Sequence, residues 1–404
     1  MEQNIDYSDL KGRYNFLKKA KKELDLTRGR PSSQQLDLSN NLESIMADNF
    51  IQDGIDTRNY GLLEGLPSAR ELAGHILNSD PSNIFVNGTS SLTLMGHYLQ
   101  SLFFQGSGQV PWKDLKKISF LCPVPGYDRH FLMLEKLGIK MIPVPLLGKG
   151  PDLNLIEHLL EADESIKGIL CVPKHSNPTG EIYSKECIEG LANIKKVDFK
   201  VIFDNAYAVH DFEASAELPN IEKIFIENDN HDSLVMLGST SKISLAGSGL
   251  AFLSLSPSNM NHFVNYFSRF SLGSDKVNQA RHARIFNSKK ALDLHMKKLA
   301  KLLKPKFDLV QEKLNSLPEG IATWTKPTGG YFVSFNSLNG NASKIYNLCS
   351  EAGLKLTPLG ATFPYGKDLE NKNIRLAPTQ IELEDLSEAM DLFCLCVLLA
   401  EQED

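Results

Sequence analysis

Between residues 83 and 252 the chain alternates short apolar, β-branched runs with segments whose apolar residues recur at helical spacing. Strands are predicted at 84–86, 118–122, 140–145, 168–172, 200–203 and 233–237. After the first of them, Leu92, Met95, Leu99 and Leu102 fall on one helical face. Strand–helix alternation of this kind implies an α/β fold with a mostly parallel sheet flanked by helices. Ligands on such sheets gather at the carboxyl ends of the strands, where the loops begin.

The flanks read differently. Residues 1–50 look helical and loop-like, 287–317 a long amphipathic helix marked by Pro305, and the tail α+β. In that tail 330–335 is strand-like and 342–353 and 382–399 are helical. The expected division is a large domain over 51–290 and a smaller α+β domain built from both chain ends, 1–50 and 291–404.

Composition narrows the function. A net charge of −6 argues against phosphate-backbone binding, so no nucleic-acid partner is expected. The basic run at 18–22 lies on a helix-like stretch and reads as a solvated face. None of the six cysteines forms a C-x-x-C pair and no Cys/His grouping has zinc spacing, so no metal is expected. Reduced thiols suggest the cytoplasm. The start, MEQNIDYSDLKGRYNF, has no apolar core for a signal peptide, and the run 393–400 is too short to span a bilayer.

Three features, each ordinary alone, occur in a telling order. Asn177-Pro178-Thr179-Gly180 follows the strand at 168–172, and by itself reads equally well as a plain turn. The strand at 200–203 runs into Asp204, with Tyr207 three residues on; an acid there is commonly a helix cap. The strand at 233–237 leads into Gly238-Ser239-Thr240-Ser241-Lys242. Upstream, Asn87-Gly88-Thr89-Ser90-Ser91 opens a helix, where exposed N–H groups and the helix dipole favour an anion. Together they supply what pyridoxal 5′-phosphate (PLP) requires. Lys242 offers an amine for the imine, Asp204 an anion for the ring nitrogen, Asn177 and Tyr207 donors for the phenolic oxygen, and the Gly88 loop a phosphate nest.

With these residues in place, almost the whole chain resembles the fold-type-I, class I/II PLP aminotransferases. The carriers are NYGLLEGLPSAR at 59–70, NGTSSL at 87–92, PGYDRH at 125–130, SNPTG at 176–180, DNAY at 204–207, STSK at 239–242 and IRLAP at 374–378. Within that family it is most similar to the divergent bacterial aspartate aminotransferases, through DLTRGRPSSQQLDLS at 25–39 and GSDKVNQARH at 273–282. The resemblance implies ping-pong transamination, aspartate plus 2-oxoglutarate giving oxaloacetate plus glutamate. It implies Lys242 as Schiff-base lysine and proton shuttle, Asp204 at the ring nitrogen, and Asn177 and Tyr207 at the phenolic oxygen. Tyr127 would stack on the ring, with His130 behind Asp204. Gly88, Thr89, Ser90, Ser239 and Ser241 would surround the phosphate. Tyr60 would reach the neighbouring subunit's site, which implies a homodimer with shared sites. Arg375 would bind the substrate α-carboxylate and Arg28 its side-chain carboxylate.

One departure stands out. Many relatives carry an arginine soon after the lysine, pairing with the phosphate, whereas ISLAGSGLAF at 243–252 has none. Lys276, Arg281 and Arg284 are candidate substitutes. Transamination of neutral or aromatic amino acids, another PLP reaction such as β-elimination, and a PLP-sensing regulatory domain remain as alternatives.

Overall fold

The computed structural model describes residues 7–213 and 217–402; the first six residues of the expected N-terminal segment lie outside them. A seven-stranded sheet forms the centre. Its strands are β1 (Ile84–Val86), β2 (Ser119–Val124), β3 (Lys140–Pro145), β4 (Ile166–Cys171), β5 (Lys200–Asp204), β6 (Leu234–Ser239) and β7 (Ala251–Leu255). They lie in the order β1-β7-β6-β5-β4-β2-β3. Only β7 runs antiparallel, pairing with β1 on one side and β6 on the other.

The strands follow the apolar runs because both faces of the sheet are covered. Phe203 and Met236 pack into one core, and Ile202, Val235 and Leu237 into the other. Two strand ends reach further than the sequence predicts. Asp204 still pairs with Leu237, and Ser239 with Ala251, so both polar residues close their strands rather than follow them. The run at 251–255, read as no separate strand, becomes β7 with every residue buried.

Both chain ends share a third core. Leu10, Tyr14 and Leu24 pack with Phe335, Ile374 and the buried side of the Leu383–Gln402 helix. The Lys289–Leu314 helix runs through Pro305 and links the cores: Leu292 and Leu299 join the sheet, Phe307 and Val310 the terminal core. Strand Val333–Ser337 starts later than the 330–335 reading, since Gly330 takes φ +80° and packs on His175. No helix among the described residues is long and apolar enough to cross a membrane.

A half-buried carboxylate backs the Asn177 turn. Glu181 Oε1 accepts from the Gly148 amide at 3.1 Å, whereas Oε2 is buried with no partner. Burial pushes this carboxyl up to about 7, against the opposing pull of the Gly148 and Gly150 amides. An unfolded glutamate titrates near 4.3, so between about pH 4.3 and 7 the folded chain holds the extra proton and loses stability as pH rises. Glu181→Gln is expected to remove this slope, worth at most about 1.4 kcal/mol per pH unit. Its melting temperature should gain on the native chain as pH rises, then level off above about 7. A constant difference across that window would show that Glu181 does not titrate there.

Candidate active site

The carboxyl ends of β4, β5 and β6 converge on a cavity of about 120 Å³. Lys242, Asp204, Asn177, Tyr207 and Tyr127 line it, and Ser90, Ser239 and Ser241 line it as well. Residues from five separate sequence segments thus meet in one place.

Asp204 is 2% exposed. His130 Nε2 donates to its Oδ2 at 2.9 Å, while Oδ1 is buried without a partner. Tyr127 meets the His130 ring edge-on at 4.9 Å, and burial pushes its phenol up to about 12. Burial also raises the Tyr207 phenol, so both hydroxyls stay protonated donors. The Lys242 amine lies 4.9 Å from the centre of the Tyr207 ring. Burial lowers its proton affinity, opposed by the Asp204 charge, which favours the neutral, nucleophilic amine.

Three supports went unread in the sequence. The His210 Nε2 donates to the Lys242 carbonyl at 3.2 Å, and burial holds this imidazole down to about 3, hence neutral. The Tyr331 ring lies 6.0 Å from the Lys242 amine, and its hydroxyl accepts from Gln35 Nε2 at 2.8 Å. Gln35 and Tyr331 stand 296 residues apart, and no periodicity marks the pair. His210, six residues after Asp204, carried the one usable signal.

At the serine end, Gly88 takes φ +70°, and its carbonyl accepts from the Ala251 amide at 3.0 Å. Ser90 caps the Ser91–Phe104 helix, and Ser241 Oγ donates to the Thr89 carbonyl at 3.2 Å. Gly88 and Thr89 therefore frame the cavity rather than line it. A Cβ on Gly249 would sit 2.9 Å from the Ser241 amide, so the loop without arginine packs directly on the serines. Of the candidate substitutes, the Lys276 amine donates to the Asn59 and Gly61 carbonyls. Arg284 is likewise spent on the Met46 and Ile51 carbonyls. Arg281 keeps a buried Nε with no partner.

Arg375 and Arg28 line a neighbouring cavity of about 460 Å³, together with Asp128 and Arg129. Arg375 is 5% exposed and stacks 4.9 Å from the Phe332 ring. The Tyr60 side chain stands apart, 83% exposed, on a segment bridged to Gly273.

Known proteins resemble the chain over nearly its whole length. The family model described as aspartate amino-transferase matches residues 3–404. An aspartate aminotransferase of Corynebacterium glutamicum is 39% identical over 98% of this chain and 94% of its own. The crystal structure of an aspartate transaminase from that organism superposes with a TM-score of 0.94 at 38% identity, covering 97% of this chain and 95% of its own. The α-aminoadipate aminotransferase LysN of Thermus thermophilus, complexed with N-(5′-phosphopyridoxyl)-L-leucine, shares the fold at 18% identity with a TM-score of 0.77 over 97% of each chain. The chain belongs to the aspartate amino-transferase family, on the fold of the fold-type-I aminotransferases.

Proposed function

We propose that this aminotransferase uses PLP and moves the amino group of aspartate to 2-oxoglutarate. The observation that carries the cofactor reading is Asp204. A buried carboxylate with one oxygen held by His130 and the other unpaired is the partner a protonated ring nitrogen needs. PLP, when bound, supplies the carbonyl that takes up the amino group and the ring that draws electrons from the α-carbon.

This chain's residues do the rest. Lys242 is the amine that holds the cofactor and moves the proton at the substrate α-carbon. Asn177 and Tyr207 sit beside it as hydrogen-bonding groups for the phenolic oxygen, and Tyr127 is the ring-stacking face. Ser90, Ser239 and Ser241 provide hydroxyls for the phosphate at the start of a helix, where the dipole favours negative charge. The exposed Tyr60, with Leu62, Phe270 and Leu272 also exposed, supports a homodimer in which Tyr60 enters the partner's site.

For the substrate, two of the three arginines around one cavity match two carboxylates. Arg375 is the buried fork for the α-carboxylate, and Arg28, exposed on the same cavity, takes the distal one. A hydrogen bond to a charged group contributes about 1.5–3 kcal/mol, so Arg28→Ala should lower kcat/KM for aspartate at least about tenfold. Alanine, with no distal carboxylate, should react almost as before. Equal losses on both substrates would make Arg28 structural and remove the case for a dicarboxylate.

A further inference from the structure

The guanidinium of Arg375 has five N–H groups, and their partners can be counted. Nε donates to Thr357 Oγ1 at 3.3 Å. Nη1 donates to Asp128 Oδ1 at 2.8 Å and to Asn177 Oδ1 at 3.2 Å. Among the described residues Nη2 makes no hydrogen bond. A carboxylate that docks as a fork needs two neighbouring nitrogens. With only Nη2 open, docking must displace a bond already made, at Nη1 or at Nε. Of the three acceptors only Asp128 is charged. Two carboxylates on one edge of a guanidinium repel each other.

Asp128 also has somewhere to go. It opens the Asp128–Lys136 helix, directly after Tyr127, and its side chain is 22% exposed against 5% for Arg375. Its second oxygen already lies 3.9 Å from Arg129 Nε. Arg129 lines the same cavity as Arg375. The carboxylate thus stands between two arginines, bonded to the buried one and within reach of the open one.

Taking Arg375 as the carboxylate seat proposed above, we infer that Asp128 is an internal stand-in for the substrate carboxylate, held on Arg375 until substrate passes it to Arg129. No covalent step is involved; one ion pair replaces another. The stand-in neutralises a buried guanidinium while the site waits, since an unpaired buried charge is costly. It also sets a threshold for entry. A full carboxylate replaces Asp128 charge for charge, whereas an amide or alcohol has no charge with which to compete. Asp128 is therefore a specificity-determining residue that weakens carboxylate binding to reject uncharged mimics.

The test is calorimetric titration of the PLP-loaded enzyme with propionate, which carries a single carboxylate. Asp128→Asn keeps the shape and removes the charge. It should tighten propionate binding at least about fivefold, the scale of a partly buried ion pair. It should also admit propionamide, which the native enzyme excludes. Arg129→Ala removes the receiver and should weaken propionate in the native background but not in Asp128→Asn, a non-additivity that a merely structural residue would not produce. Unchanged or weaker binding in Asp128→Asn, or additive effects of the two changes, overturns the stand-in. Arg375→Ala separates the two readings. If it abolishes propionate binding while Asp128→Asn does nothing, the stand-in fails and the seat survives; if it leaves binding intact, both fail.

Discussion

Lys242→Ala, reduced with borohydride after incubation with PLP, retains no covalent cofactor, and its turnover falls by about 10² to 10⁴, the range lost when a positioned acid–base group is removed. The expectation rests on placement. Lys242 follows the last residues of β6 on the floor of the cavity, with its amine against Tyr207 and its carbonyl pinned by His210. Burial favours the unprotonated amine, the form that attacks a carbonyl. The retained cofactor should dissociate on gel filtration from the variant and stay with the native chain. A trapped peptide that contains another lysine would move the assignment elsewhere.

The second large effect is at Asp204. Asp204→Ala should keep part of its PLP through the serines and helix start, yet lose α-proton exchange by about 10² to 10³, as when one preorganised electrostatic partner is deleted. The reason is that Asp204 meets no other group at Oδ1 and is oriented at Oδ2 by His130. Exchange is read by deuterium uptake into aspartate from heavy water with no acceptor present. Asp204→Glu, which restores charge at a shifted position, should recover more exchange than Asp204→Asn, which restores shape alone. Near-native exchange in Asp204→Ala would remove the ring-nitrogen role.

Much of this site was legible because α/β sheets put chemistry at predictable places. Asn177, Asp204 and Lys242 lie just past, or at the end of, buried apolar runs, and a parallel sheet lines such ends up together. The strands themselves stood out because burial on both faces leaves uninterrupted apolar runs. β7 escaped notice because it begins in the glycine-rich stretch after Lys242 and runs back antiparallel. Pairings between distant segments were also hidden. Asp128 and Arg375 stand 247 residues apart, and the resemblance that marks Arg375 gives no sign of its bond to Asp128. Arg28, singled out in the sequence for a distal carboxylate, is brought to the Arg375 cavity by the pairing of Leu24 with Leu354. The stretch 243–252 carries no arginine, and two of the three proposed substitutes are held by backbone carbonyls. Local geometry settles such donors, and a sequence does not display it.

On the proposed function, this chain takes the amino group from aspartate and keeps it until an oxo acid arrives. The most direct measurement mixes concentrated PLP-loaded enzyme with excess aspartate and no acceptor, then quantifies oxaloacetate and ammonia in the quenched solution. Oxaloacetate should appear in a single burst equal to the number of active sites with no ammonia, and further oxaloacetate should form only after 2-oxoglutarate is added, one for each 2-oxoglutarate consumed. Ammonia released in proportion to time, or no oxaloacetate at all, would contradict it.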